Sequence, residues 1–199
     1  MAPRRVDEHT VFLNVPFDRS YERLFVSLIV TLVSLGRTPR SVLEIPEMGQ
    51  GRLARLHDLL ISCRVSVHDL SRVGMPVRFN MPFELGLAFS LRQMTGRHDF
   101  VIFERRQNRL DTTLSDLKGC DPLVHGGRPQ TLERLLLTAL ALPTKRPEAE
   151  AVRRLSMGAC RILPELREPR SATIVTPDGY ARLVEVAIEL AVRAGMLRV

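Results

Sequence analysis

The sequence predicts an α/β fold in three layers, a parallel sheet between helices, followed by a C-terminal helical extension. Over the first two thirds of the chain, short strand-like runs alternate with segments of helical periodicity. Strands separated by helices pair in parallel, because parallel neighbours need a crossover connection. The length of 199 residues, 45% hydrophobic and 26% charged, suits one domain with a substantial core, or one domain with a small appendage.

In chain order, Val11-Phe12-Leu13-Asn14 reads as a buried strand and Tyr21 to Leu35 as a helix stopped by Gly36. Ser41 to Ile45 is a weak strand, and Arg52 to Ser62 a helix with leucines at helical spacing. Val65 to Leu70 is the third strand. A helix from Pro82 to about Met94, ended by Gly96, leads to Phe100-Val101-Ile102-Phe103, a run of pure β-formers. Leu123-Val124-His125 is a short last strand and Gln130 to Leu142 a closing helix. The expected strand order is flavodoxin-like, with its switch point between the first and third strands.

Pro143 to Pro147 reads as a linker, dividing residues 1–143 from a helical extension over 144–199. In the extension, Ala149 to Leu163 and Pro177 to Leu197 are helical patterns. Leu183, Val186, Ala187, Leu190, Ala191 and Ala194 share one apolar face of the second. That face needs a cover, either the domain itself or a second copy of the chain.

The net charge of +7 is basic, but Arg and Lys are scattered among acids without a basic run or an aromatic-rich basic stripe. A general attraction to anions follows, rather than a dedicated nucleic-acid module. The three cysteines, Cys63, Cys120 and Cys160, lie far apart with no CxxC pair, against a disulfide framework or structural zinc. The five histidines show no metal-ligand spacing. Met1 to Thr10 lacks the apolar core of a signal peptide, and Phe25 to Leu35 is shorter than the ~20 residues of a membrane span. A cytoplasmic protein is expected, with no membrane partner, metal or cofactor.

The candidate site is the carboxyl edge of the sheet. The first loop offers Asn14, Pro16, Phe17 and Asp18; the third strand ends at Asp69, Ser71 and Arg72; Arg78, Asn80 and Glu84 follow; and Glu104 ends the fourth strand. Acids, amides, a cation and an aromatic face around one crevice suit a sugar with hydroxyls and a flat base. Asn80 is placed to cap the helix and Pro82 suits its first turn, which puts Glu84 near the positive end of the helix dipole. A carboxylate held ionised there can attack an anomeric carbon or stabilise its developing charge; equally, it can serve only to complement the dipole. Asp69 either faces a ligand or caps the loop at Leu70-Ser71. Phe17 stacks on a base or packs into the domain, and Arg72 pairs with a phosphate or with Asp69. Asn14 to Asp18 lacks the glycines of a phosphate-cradling loop. His68 alternates with Asp69 and points to the opposite face, as a core histidine. His125, before Gly126-Gly127, is a minor candidate near the same edge.

Val11 to Phe17 resembles the opening strand and loop of nucleoside 2-deoxyribosyltransferase-like proteins. Ser62 to Asp69 is similar to their third strand, which ends in an acid, and Phe83-Glu84-Leu85-Gly86-Leu87-Ala88 to the segment carrying their catalytic glutamate. The glutamate-leucine-glycine segment preceded by Asn80 also resembles bacterial TIR-like nucleotide-binding domains. The resemblance covers roughly Val11 to Phe103. It implies Glu84 as nucleophile or cation-stabilising acid, Asp69 on the base or sugar, and the Asn14 to Asp18 loop over the ribose. Transferases of the family often carry an acid six positions before the glutamate, where this chain has Arg78. That departure favours a phosphorylated substrate, with Arg72 or Arg78 on the phosphate.

The resemblance therefore implies cleavage or transfer of an N-glycosidic bond of a nucleotide, nucleoside or NAD, as in defence effectors. It needs no metal, because protonation relieves charge on the departing base and the carboxylate relieves it on the sugar. The rival expectation is a non-catalytic nucleotide sensor or a structural interaction module that relays through its C-terminal helices.

Overall fold

The structure, a computed structural model, describes residues 6–44, 51–72, 79–117, 119–141, 146–166 and 173–197. Five strands form one parallel sheet: β1 (Asp7–Asn14), β2 (Thr38–Ser41), β3 (Cys63–Asp69), β4 (Asp99–Glu104) and β5 (Leu123–Val124), in the order β2-β1-β3-β4-β5. This is the flavodoxin-like order, with the switch point between β1 and β3. The helices are α1 (Glu22–Ser34), α2 (Arg52–Ser62), α3 (Asn80–Thr95), the short α4 (Arg109–Thr113), α5 (Pro129–Leu140), α6 (Ala149–Arg161), α7 (Leu163–Leu166) and α8 (Pro177–Arg193).

Alternation along the strands sets the two faces. Val11, Leu13, Val65, Val67 and Phe103 point to the side of α1 and α5, whereas Phe12 meets α2 and Ile102 joins Leu70, Met81 and Leu85 on the α3 side. The second strand is shifted from Ser41–Ile45 to Thr38–Ser41. Its pairing with β1, Thr10↔Thr38 through Leu13↔Ser41, decides this, and Pro39 is tolerated because the strand lies at the sheet edge. A 3-10 turn follows at Val42–Glu44.

Every residue of α1 except Arg23 is buried, although the helix is apolar nearly all round. One side packs on the sheet, and the C-terminal helices α6 and α8 cover the other. Val152, Ala159, Leu183, Ala187 and Ala191 are fully buried. Apart from Val152, these residues belong to the same core as Val11 and Phe25. The apolar face of the tail is thus spent on its own domain rather than kept for a second copy. Buried polar bonds pin the join: Ile174 N–H donates to Glu22 Oε1 at 2.9 Å, and Tyr180 O–H to the Pro39 carbonyl at 2.7 Å. No described helix is long and apolar enough to cross a membrane.

Candidate functional site

Beyond the paired carboxyl ends of β1 and β3 the connections leave toward opposite faces of the sheet, and a cavity opens on each side. On the α3 side, Asn14, Pro16, Phe17, Arg52, Arg72, Asn80 and Glu84 line a crevice of about 60 Å³. On the α1 side, Pro16, Asp18, Arg19, Ser20, Tyr21, Ser71, Arg72 and Arg105 line a cleft of about 390 Å³. Pro16 and Arg72 belong to both. Arg72 bridges the switch point by pairing with Asp18 at 2.8 Å, rather than with Asp69.

Glu84 lies in the crevice without a hydrogen bond or ion pair to any described residue. The helix begins with Phe79 at its N-cap, and Asn80 is the first helical residue with no side-chain cap. Glu84 therefore stands beyond the first turn, where the dipole and free N–H groups act weakly. Instead of being held ionised, its carboxyl is pushed up to about 7 by burial, despite the nearby charge of Arg52. Such a group carries or yields a proton near neutral pH. Arg78 lies outside the described residues.

Asn14 is fixed by its neighbours. Its amide nitrogen donates to the Met81 carbonyl and meets His68 Nδ1, both at 2.9 Å. Because Met81 O only accepts, the orientation of the amide follows, and Asn14 Oδ1 is left as the acceptor. Behind it runs a buried chain: His68 Nε2 to Ser66 Oγ at 2.8 Å, Ser66 Oγ to His98 Nε2 at 2.8 Å, and His98 Nδ1 to the Cys63 carbonyl at 3.0 Å. Burial, with the neighbouring His98, lowers the His68 pKa to about 3. His68 is thus the core histidine that alternation implies.

Asp69 is not in the crevice. Alternation sends it to the α1 face, fully buried, where Tyr21 O–H donates to Oδ2 at 2.5 Å and Ser71 N–H to Oδ1 at 2.9 Å. His125 Nε2 approaches Oδ2 at 3.1 Å. Burial works to raise the Asp69 pKa, but the bonds from His125, Ser71 and Tyr21 outweigh it and hold the carboxylate ionised. The same pair pushes the Tyr21 phenol up, through burial and then the Asp69 charge. With its oxygens engaged and no solvent access, Asp69 anchors the Ser71 loop and does not line the crevice that holds Glu84.

Glu104 is also withdrawn from the edge. It is fully buried, accepting from Arg105 N–H at 2.7 Å and from the Arg109 guanidinium, which also donates to the Leu70 carbonyl. Phe17 packs on the main core, as one of the two readings of it had it, and also lines the crevice. Sequence reasoning missed Arg52, Tyr21, Arg19 and Arg105. Each stands within a few residues of a strand end or at a helix start, a positional signal too common to single them out. Among the described residues, no group of three or more His, Cys, Asp or Glu side chains could hold a metal ion. No protein-family model, no curated protein and no solved structure matches the chain.

Proposed function

We propose that the protein cleaves or transfers the N-glycosidic bond of a nucleotide-like substrate, with Glu84 as its catalytic carboxylate. The observation that carries this reading is Glu84 itself: a carboxylate without a partner among the described residues, in a crevice walled by Asn14, Pro16 and Phe17. In the reaction the bond from C1′ to the base nitrogen breaks and its electron pair leaves with the base, which takes up a proton. The ionised Glu84 stabilises the cation at C1′ or bonds to it, and water or a second base completes hydrolysis or transfer. Asn14 Oδ1 accepts from a sugar hydroxyl. The Glu84 crevice is far smaller than the ~300 Å³ of a small-molecule site, while the adjoining cleft is of that order. A phosphorylated ligand reaching past Arg72 uses both.

The experiment is base release, followed by chromatography, from a panel of nucleotides, nucleosides and NAD. Wild type is expected to release base from at least one phosphorylated substrate. Glu84→Gln is expected to lose about 100-fold or more of that rate while still binding, since it keeps the shape and removes the charge. Ligand binding in both proteins with no base release from wild type would refute catalysis. That result would favour the sensor reading, which one feature already suits: α1 borders the cleft at its start and carries α6 and α8 along its length.

A further inference from the structure

The cleft on the α1 face differs in chemistry from the Glu84 crevice, because Arg19, Arg72, Arg105 and Ser71 line it against a single acid, Asp18. Its hydrogen positions are set by the backbone. Gly127 N–H donates to His125 Nδ1 at 2.9 Å, so that nitrogen is the acceptor and Nε2 carries the ring proton. That proton faces Asp69 Oδ2 at 3.1 Å and Ser71 Oγ at 2.9 Å. The one ring proton lies between these two acceptors, so Ser71 Oγ cannot donate to the ring, and its own hydrogen has no acceptor among the described residues. Ser71 is nine-tenths buried, at 9% exposure, and lines the cleft. The same proton assignment excludes a serine nucleophile: His125 turns an N–H toward Ser71, not a lone pair, and cannot act as its base.

The charges agree with the donors. Asp18, the acid of this cleft, is neutralised by Arg72 at 2.8 Å. Arg19 and Arg105 have no side-chain ion pair or hydrogen bond to any described residue. Arg105 is laid over the Gly126-Gly127 turn, where a Cβ on Gly127 would meet its Nε at 2.9 Å. A cavity of about 390 Å³ thus presents two uncompensated guanidinium groups and a buried hydroxyl donor. A ligand that only accepts and carries about two negative charges completes it.

We propose that this cleft is a binding site for the phosphate group of a phosphorylated small molecule, held by Arg19, Arg105 and the Ser71 hydroxyl. Asp69, Tyr21 and His125 are positioning residues that hold Ser71 ready. The site does not depend on Glu84 being catalytic.

The test titrates inorganic phosphate into nitrogen-15-labelled protein at constant ionic strength. Saturable shifts are expected at the Ser71, Arg72 and Gly127 amides. Arg19→Ala with Arg105→Ala should weaken binding about 10-fold or more, and Ser71→Ala about 5-fold. Both arginines are exposed, so the double variant keeps the fold. A second arm compares a nucleoside 5′-monophosphate with its nucleoside. Tighter binding of the monophosphate through the same amides shows phosphate delivered on a nucleotide, and equal affinity for inorganic phosphate shows a free-phosphate site; both uphold the proposal. Absence of saturable shifts at these amides, or unchanged binding by the double variant, overturns it. Glu84→Gln should bind phosphate as wild type does. Phosphate binding without base release from any substrate would count against the Glu84 reading alone.

Discussion

Glu84→Gln removes a charge with little change of shape, and its effect on stability should depend on pH in a direction the structure dictates. Burial raises the carboxyl from 4.5 to about 7, so the folded protein holds this proton more tightly than the unfolded chain does. The stabilisation from that raised pKa is complete below 4.5 and is lost as pH rises through about 7. At ~1.4 kcal/mol per unit the whole shift corresponds to roughly 3 kcal/mol. Solvent still reaches part of the side chain, which reduces the working figure to about 1–2 kcal/mol. For a chain of this length that is a rise of about 3–6 °C in Tm for the Gln variant at about pH 8.5, shrinking to ~1 °C near pH 4. Thermal unfolding followed by circular dichroism measures it without tryptophan, which the chain lacks. The exposed Glu185→Gln controls for the change in net charge. A Tm difference independent of pH, or a Gln variant less stable than wild type at high pH, would refute the burial argument.

Four further outcomes follow from the packing. Ser66→Ala leaves His68 Nε2 and His98 Nε2 without their shared partner and should cost about 2–4 kcal/mol in denaturant unfolding; a loss under ~1 kcal/mol would deny the chain. His68, with a folded pKa of about 3, should stay neutral by NMR through mildly acid pH, and its contribution to stability, complete above 6.5, should be lost as pH falls toward 3. Gly127 has φ of +72°, so Gly127→Ala should lose about 1–2 kcal/mol and displace Arg105, weakening phosphate binding; unchanged stability would contradict the left-handed turn. Leu183→Ala, at a fully buried site, should lower one cooperative transition by about 2–5 kcal/mol. Two separate transitions in that variant would mean that the C-terminal helices fold apart from the sheet.

Much of the architecture was legible because hydrophobic periodicity is local. The strand runs at Val11, Val65 and Phe100 and the helix after Arg52 stand where their patterns place them. Alternation even assigned His68 and Asp69 to opposite faces, which is the fact that separates Asp69 from Glu84. What alternation leaves open is which face carries the crevice, so Asp69 read equally as a ligand group or a loop cap, and it is the cap that the Ser71 bond shows. Thr38–Ser41 was hidden because its propensity is poor and its pairing with β1 is long-range.

By itself the sequence determined the parallel α/β sheet, its helices, and the gathering of polar residues, Glu84 near the start of α3 among them, at the carboxyl edge. These follow from residue types at fixed spacing along one chain. Tertiary structure decided that Glu84 has a pKa near 7, that Asp69 is sealed behind Tyr21 and His125, and that the tail covers α1. It also decided that Arg19, Arg105 and Ser71, from three separate loops, face one cleft. Burial, proton direction and the convergence of distant loops depend on contacts across the fold, which no local pattern encodes.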